Sequence, residues 1–241
     1  MSTIGLIPAF DEEANIYDAV TSLFTVGCDR VVVLDGAYRY ANGRSFMGGG
    51  CSSSDETQAE AESAGAIVVT PKRLPRFGEK RDMLLRLADA DEGDHVLFLD
   101  ADERAVGRIP AGVDGHACVL LRNLKPNDLP GLRSEWPRGD AGPVVPLLRF
   151  LRWSPTLRFL GPGRFAEEGE LVRPYLVQAF GLVADATDDP VVRRAYLAVR
   201  ELEGALPADL ACVLPLLDGL EIHHLKEHSA ERVEAKREVY V

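Results

Sequence analysis

The chain has 241 residues, of which 46% are hydrophobic and 27% charged, and its formal net charge is −11. This size and composition fit one large globular domain with a buried core, and they exclude a fibrous, low-complexity or globally disordered protein. The apolar runs are short, and none approaches the ~20 residues that span a bilayer. The acidic balance disfavours broad binding to nucleic acid or anionic membranes, although a local basic groove remains compatible with it.

The N-terminal residues and the cysteines indicate a reducing compartment. Residues 1–10 lack the basic and apolar stretches of a signal peptide, so a cytoplasmic location is expected. The cysteines lie far apart and form no CxxC pair, which predicts neither a disulfide framework nor a structural zinc site but reduced, mostly buried thiols. They are Cys28, Cys51, Cys118 and Cys212.

The first hundred residues alternate short apolar runs with amphipathic stretches. The predicted strands are Thr3 to Ile7, Arg30 to Leu34, Ala66 to Val69 and Val96 to Leu99, and the predicted helices are Glu12 to Phe24, Ser54 to Ala64 and Gly78 to Ala90. This alternation predicts an α/β, Rossmann-like sheet of mostly parallel strands with helices on both faces. Ligands of such sheets bind beyond the carboxyl ends of the strands, so the residues there are the first candidates for a site.

The rest of the chain is less regular. Residues 38–54 are rich in Gly and Ser and residues 125–143 are rich in Pro, so both are predicted as loops. The remaining predicted elements are a strand at Val144 to Arg152, strand or irregular structure from Gly169 to Val183, a helix at 190–203, a short strand at Leu220 to Leu225 and a charged helix from Ser229. A single domain over residues 1–241 is expected, regular in 1–104 and less regular in 105–241.

The strongest chemical signal is a pair of aspartates, Asp100 and Asp102, directly after the run Val96 to Leu99. Carboxylates two residues apart at a strand end can converge on one small volume, where they suit a hard divalent cation with a phosphate ligand. An ordinary acidic turn or helix start is the alternative. Basic residues upstream favour the cation site, and they are Lys72, Arg73, Arg76, Lys80 and Arg81.

Lys80 and Arg81 lie near the start of the helix predicted from Gly78. An apolar stripe begins at Met83, one turn later, so Lys80 should point inward. Helix N-termini favour phosphate through their free N–H groups and their dipole, and these two cations add charge. A bound diphosphate is therefore predicted here, whereas a solvated surface is the alternative for the other basic residues.

Five segments resemble, in order and spacing, the nucleotide-binding half of a family 2 glycosyltransferase with a GT-A fold. They are IGLIPAFDEEANI, VVVLDGAY, SSSDETQAEAESAGAIVV, GEKRDMLLRLA and VLFLDADE, and together they cover Ile4 to Glu103. The resemblance continues faintly in LRFLGPGRFAEEGEL and GLEIHHLKEHSAERVEAKREVY. It implies that residues 1–104 bind a nucleotide diphosphate sugar, and that residues 105–241, with the C-terminal helix, form the acceptor half.

The resemblance also implies roles for residues that follow the first two strands. Pro8, Phe10 and Glu12 would border the nucleotide base, and Asp35 would hydrogen-bond the base or the ribose. A proline or aromatic edge can cover a base, and a carboxylate can accept from ring N–H or hydroxyl groups. Plain core packing is the alternative for Phe10.

By the same resemblance, Asp100 and Asp102 are the DxD pair, in which Asp100 faces the ribose or the metal and Asp102 holds the cation on the diphosphate. His223 and His224 lie on a predicted strand and should face opposite sides. The family's Ile-x-His-Leu pattern selects His224 as a metal ligand. A neutral imidazole beside carboxylates suits Mn²⁺, with Mg²⁺ as the other candidate, and a structural histidine is the alternative.

The segment Gly163 to Glu168 resembles the family's acceptor-site segment, whose His falls on Ala166 and whose Glu falls on Glu167. Glu167 is thereby implied as the general base for the acceptor hydroxyl, with Glu168 as its nearest competitor. The tyrosine-bearing loop 38–54 resembles a variant branch of the family and would close over the donor as a lid, or else be a mobile surface segment.

The sequence therefore predicts an enzyme, a metal-dependent glycosyltransferase that moves a sugar from a nucleotide diphosphate sugar to an acceptor hydroxyl, with Mn²⁺ or Mg²⁺ as cofactor and Lys80 or Arg81 stabilising the leaving group. The acceptor stays open between a glycan, a lipid, a protein and a modified nucleic-acid base. A sugar-phosphate nucleotidyltransferase is one alternative, but PAFDEE stands where its glycine-rich loop is expected. A non-catalytic nucleotide-sugar or glycan-binding module is the other, because Ala166 replaces the family's His.

Overall fold

The computed structural model describes residues 1–39, 43–124, 144–161, 164–167, 170–172 and 216–225. The strands in chain order are β1 (Thr3–Ala9), β2 (Arg30–Asp35), β3 (Ile67–Val69), β4 (His95–Phe98), β5 (Glu103–Gly107), β6 (Ala117–Leu124), β7 (Val144–Arg152), β8 (Arg158–Gly161), β9 (Arg164–Glu167), β10 (Glu170–Val172) and β11 (Leu216–Leu225). The helices are α1 (Ile16–Val26), α2 (Thr57–Ser63) and α3 (Phe77–Leu87), with one 3₁₀ turn at Phe46–Gly48.

The main sheet has eight strands in the order β3-β2-β1-β4-β7-β6-β11-β5, and β8, β9 and β10 form a second sheet. The pairings β1 with β2, β1 with β4, β2 with β3 and β6 with β11 are parallel. β7 runs antiparallel to β4 and β6, and β5 runs antiparallel to β11. The predicted α/β class, with a Rossmann-like and mostly parallel sheet, is confirmed.

Alternate residues of the central strands supply two apolar cores on opposite faces of the main sheet. In β1, Ile7 belongs to the core that includes Leu23 of α1, whereas Leu6 belongs to the core that includes Leu84 of α3. Successive side chains of a strand point to opposite faces, so an uninterrupted apolar strand serves both cores. Each fully buried Leu or Ile contributes ~1.5–3 kcal/mol. Helices therefore cover both faces, as predicted.

Helix α1 begins at Ile16, four residues later than the predicted start at Glu12. Residues 12–15 form a turn instead, in which the Glu12 N–H donates to the Thr57 hydroxyl at 2.7 Å. The helix ends at Val26, and the next residue, Gly27, has a φ of 113°, the left-handed conformation that glycine adopts without steric strain. The turn brings the β1–α1 loop against the start of α2.

Strands β5 and β6 were not predicted from the sequence. β5 reads ERAVG, and its first two residues, Glu103 and Arg104, are buried at 2% and 3% exposure. Glu103 and Arg104 do not give the apolar pattern that predicts an inner strand. They are buried only because other elements supply polar partners for them. β6 reads ACVLLRNL, whose apolar run is too short to distinguish a strand from a buried helix.

Part of the predicted loop 38–54 is packed against the body of the protein. The Phe46 ring is 7% exposed, stacks on Tyr38 at 4.9 Å between ring centroids, and meets the Phe10 ring edge-on at 6.2 Å. These rings form an apolar cluster with Ala37. Residues 46–48 are therefore anchored beside the end of β2, a feature that the Gly and Ser content of the segment conceals.

Among the helices of the described ranges, none is long and apolar enough to cross a membrane. The cytoplasmic location and the division of the chain into halves at residue 104 stay predictions. The predicted helix at 190–203, the charged helix from Ser229 and the loop 125–143 lie outside the described residues.

Candidate functional site

The aspartates of the candidate cation site lie on a tight turn between β4 and β5. The Glu103 N–H donates to the Asp100 carbonyl at 2.9 Å, and the Asp100 N–H donates to Glu103 Oε2 at 2.7 Å. The turn follows the carboxyl end of β4, whose neighbour β1 is parallel to it. This is the edge where ligands of parallel sheets bind.

Asp102 lies beside His224, the histidine that the resemblance selected. In the pairing of β5 with β11, His224 is opposite Glu103, which brings its imidazole next to the preceding residue, Asp102. His224 Nε2 is 3.3 Å from Asp102 Oδ2, although the two residues are 122 positions apart in the sequence. The structure therefore brings together two of the three predicted metal ligands.

The adjacent His223 has different partners, as strand alternation predicts. Its Nε2 is 3.0 Å from Glu221 Oε2, and Glu221 accepts two hydrogen bonds of 3.1 Å from the Arg122 guanidinium. Burial raises the pKa of Glu221, but the hydrogen bonds from His223 and Arg122 outweigh it and lower that pKa to about 2. This cluster fixes β11 against β6 and so supports the position of His224.

Asp100, the third predicted ligand, faces two arginines. Arg81 of α3 donates to Asp100 Oδ1, and Arg149 of β7 lies 3.3 Å from Asp100 Oδ2. Arg149 also donates to Glu103 Oε1 at 2.9 Å and is 7% exposed. Arg149 was not predicted as a site residue, and its signal in the sequence is a charged residue within the otherwise apolar stretch VVPLLRFL.

For both Glu103 and Arg149, burial and the charge of the partner shift the pKa in opposite directions. Burial raises the pKa of Glu103 to about 7, while the neighbouring Arg149 acts to lower it. Burial disfavours the charge on Arg149, but the carboxylates of Glu103 and Asp100 outweigh it and raise the pKa of the guanidinium. Arg149 therefore stays protonated beside the aspartate turn.

Arg104 holds the same turn from the side of α1. Its Nη1 donates to the carbonyls of Ala101 at 3.2 Å and Glu103 at 2.8 Å, and its Nη2 is 3.7 Å from Asp18 of α1. Burial lowers the pKa of Arg104. The carbonyls on both sides of Asp102 are thus held in place, a role that no sequence pattern indicated.

Lys80 points inward, as predicted, and is 4% exposed. Its Nζ donates to the Ala9 carbonyl at 2.7 Å and to the Gly36 carbonyl, so it links the carboxyl ends of β1 and β2. Burial lowers the pKa of Lys80 to about 7, with partial compensation from Asp35. Its contact with a diphosphate, like that of Arg81, stays a prediction.

Asp35 is fully buried at the end of β2. Its Oδ2 accepts from the Ser53 N–H at 2.9 Å and from Gln58 Nε2 at 2.7 Å, and its Oδ1 accepts from the Ser53 hydroxyl. Asp35 therefore joins β2 to the segment before α2, a function in folding that the sequence analysis did not include. Its predicted contact with a base or ribose stays a prediction.

The other predicted base-binding residues lie along the end of β1 and the turn after it. Pro8 is half-buried in β1, the Phe10 ring packs in the cluster with Phe46, and the Glu12 carboxylate accepts from Asn15 at 3.0 Å. Glu167 lies in β9 of the second sheet, opposite Glu170 of β10. Their roles toward base and acceptor stay predictions, and Glu168 lies outside the described residues.

The donor set fits a cation that arrives with its substrate. Within the described part of the chain, no three His, Cys, Asp or Glu side chains form a metal-binding group. Asp102 and His224 offer one carboxylate and one imidazole. Mg²⁺ is usually bound by one or two carboxylates and completes its octahedral shell with substrate phosphates and water, and a single imidazole is compatible with Mn²⁺.

No family model and no curated protein matches the chain. It is similar to a crystal structure of glucosyl-3-phosphoglycerate synthase from Mycobacterium tuberculosis in complex with Mn²⁺, uridine-diphosphate-glucose and phosphoglyceric acid, with 29% sequence identity over 42% of this chain and 33% of that chain and a TM-score of 0.31. A mycobacterial protein has 25% identity over 51% of this chain and 40% of that chain, with a TM-score of 0.32. S. aureus TarS has 17% identity over 54% of this chain and 23% of that chain, with a TM-score of 0.34.

The chain spans about a third of the length of the synthase chains that it matches. A similarity of this extent does not assign the chain to a family. The geometry of the aspartate turn is therefore the basis of the functional argument.

Proposed function

We propose that the chain is a metal-dependent glycosyltransferase of family 2, with Asp100 and Asp102 as its DxD pair. The observation that carries the proposal is the contact of Asp102 with His224 at the carboxyl ends of the parallel strands. Five sequence segments resemble the donor half of that family in order and spacing. The Asp102 carboxylate, on a turn held by arginines, and the His224 imidazole of β11 suit a cation bound together with a diphosphate.

In this proposal, Asp102 and His224 would hold the cation, which would supply positive charge beside the diphosphate leaving group. Arg81 lies next to the turn and adds positive charge on the side of α3. Asp35 orders the end of β2, where the base and ribose would lie. Such fixed charges stabilise a developing negative charge without reorganising during the reaction.

Glu167 is the proposed general base. Its carboxylate would take the proton of the acceptor hydroxyl while that oxygen attacks the anomeric carbon of the sugar. The bond from the anomeric carbon to the diphosphate oxygen would break, and its electron pair would leave with the nucleoside diphosphate. Ala166 leaves this segment without the family's His, so the acceptor class stays open.

The first test is a thermal-shift titration with nucleoside diphosphates in the presence and absence of Mn²⁺, because a ligand that binds only the folded state raises the midpoint of unfolding. UDP and UDP-glucose are the first probes, since one synthase complex contains this donor. The wild type should be stabilised by one diphosphate with Mn²⁺, and Asp102→Asn should lose the shift. Asp114→Asn is the matched control, because its side chain is 78% exposed and pairs with Arg152.

Turnover separates an enzyme from a binding module. Slow hydrolysis of UDP-glucose, in which water takes the sugar and UDP is released, is expected for wild type and not for Asp102→Asn, and coupled phosphate detection of the released UDP measures it. Binding without release would favour the non-catalytic module. The absence of a shift with every diphosphate tested would contradict the donor site itself.

A further inference from the structure

The aspartate turn carries more carboxylates than one cation needs. Asp100, Asp102 and Glu103 lie within four residues. Without restraint, neighbouring carboxylates repel one another and compete for the same cation. The arrangement of the turn therefore depends on what takes up the charges of Asp100 and Glu103.

Arg149 contacts both of these carboxylates with a single nitrogen. Its Nη2 is 3.3 Å from Asp100 Oδ2 and 2.9 Å from Glu103 Oε1. The second Glu103 oxygen, Oε2, accepts the Asp100 N–H at 2.7 Å. Arg149 thus closes a ring of polar contacts that joins the first and last residues of the turn.

The contact between Arg149 and Glu103 is buried and joins β7 to the start of β5. The Arg149 side chain is 8% exposed and that of Glu103 is 3% exposed. A buried pair of this kind keeps its geometry, because losing one partner leaves the other as an uncompensated charge. β7, which carries Arg149, is hydrogen-bonded to β4, so the guanidinium is positioned by the sheet itself.

We propose that Arg149 is a positioning residue for the cation site. It holds Asp100 and Glu103 in the turn, and so leaves Asp102 directed toward His224 as the carboxylate that binds the cation. The inference rests on the proposed function, because it concerns the same site, but it assigns a part to a residue outside the resembling segments.

Binding of Mn²⁺ in the presence of UDP tests the inference without measuring turnover. Free Mn²⁺ is followed by electron paramagnetic resonance at a temperature well below the unfolding midpoint of every variant. Arg149→Met should raise the dissociation constant of Mn²⁺ at least tenfold. Arg149→Lys should restore part of the affinity, because its ammonium supplies the charge but lies on a side chain one bond shorter than the one that carries Arg149 Nη2.

Two further variants keep the test decisive. Arg149→Met with Glu103→Gln keeps an acceptor for the Asp100 N–H and removes the buried charge, so it should fold even where the single variant does not. This double variant should still bind Mn²⁺ at least tenfold more weakly than wild type does. Arg152→Met is the control on the same strand, because Arg152 is 47% exposed and pairs with Asp114, and it should leave the affinity unchanged.

The outcomes distinguish the two proposals. If wild type binds Mn²⁺ with UDP, and Arg149→Met and the double variant with Glu103→Gln both bind it within twofold of wild type, Arg149 has only a structural role and the inference is overturned. If wild type itself does not bind Mn²⁺ with UDP, the proposed function is overturned and the inference with it. Tenfold weakening confined to the Arg149 variants supports both.

Discussion

Lys80 is a lysine whose burial disfavours the protonated form of its side chain. It is 4% exposed, and burial lowers its pKa from 10.5 to about 7. Between these two values the unfolded chain holds a proton that the folded protein has released. The contribution of Lys80 to the free energy of unfolding therefore rises with pH between about 7 and 10.5, by at most about 1.4 kcal/mol per pH unit.

Lys80→Met should remove this dependence. The variant also loses the hydrogen bonds to Ala9 and Gly36, which lowers its free energy of unfolding at every pH. The test is therefore how the difference in free energy of unfolding between wild type and variant changes with pH, and not its size at one pH. The difference in free energy of unfolding between wild type and variant should grow by about 2 kcal/mol from pH 7.5 to 9.5. Urea denaturation at each pH measures it, and a constant difference would show that Lys80 keeps an ordinary pKa.

The adjacent histidines of β11 give a second prediction for single residues. His224→Gln should weaken Mn²⁺ binding in the presence of UDP at least tenfold, because the imidazole beside Asp102 is lost. His223→Gln should leave that affinity within twofold, since His223 contacts Glu221 and not the aspartate turn. Isothermal titration of Mn²⁺ into the UDP complex checks both, and equal effects would exclude His224 as a specific ligand.

Sequence patterns indicated the aspartates and His224 but not the arginines that hold the turn. Asp100 and Asp102 follow an apolar run, which is a local signal, and His224 was selected by resemblance alone. Arg104 and Arg149 act through partners far away in the sequence, such as Asp18 and Asp100. No spacing rule predicts such contacts, because strand order in the sheet decides which side chains meet.

At the scale of elements, the end of β2 depends on a close approach of two backbone segments. Gly36 has a φ of 124°, and a Cβ at this position would lie 2.2 Å from the Cys51 carbonyl oxygen. Both the conformation and the contact exclude a side chain. Glycine here lets residues 51–54 reach Asp35, to which Ser53 donates.

Gly36→Ala should therefore lower the free energy of unfolding by about 2 kcal/mol or more, through backbone strain and the collision with Cys51. Gly50→Ala is the control, because no atom lies within 4 Å of its Cβ position. It should change the free energy of unfolding by less than about 0.5 kcal/mol. Chemical denaturation of the two variants measures the contrast, and equal stability would contradict the close packing at Gly36.

The elements that could be predicted are those whose burial comes from their own side chains. β2 contains the apolar run VVVL and β4 the run VLF, and β7 was predicted with the bounds that the structure shows. β5 could not be predicted, because its first residues are buried beside partners from other elements, Arg149 of β7 for Glu103 and Asp18 of α1 for Arg104. The start of α1 was placed too early, since the turn at residues 12–15 depends on the hydroxyl of Thr57.

At the scale of the whole molecule, several cationic side chains of this acidic protein lie together at one edge of the main sheet. The formal net charge is −11, yet Lys80, Arg81, Arg104 and Arg149 all lie at or beneath the carboxyl ends of the central strands. The carboxylates of Asp35, Asp100, Asp102 and Glu103 lie at the same strand ends, so these cations offset local acidic charge. Composition excluded a broad polyanion-binding surface but could not show that these cations and carboxylates lie side by side, which arises only when the sheet assembles.

The two cores should unfold together, because they share the strands of one sheet. Leu23 and Leu84 are fully buried on opposite faces, and either change to Ala should lower the free energy of unfolding by about 2–5 kcal/mol. Trp153 packs beside the core of Leu84 and reports on that face in a Trp136→Phe background. Leu23→Ala should shift the Trp153 fluorescence transition as far as the circular dichroism transition, whereas an unshifted Trp153 signal would show that the two faces unfold independently.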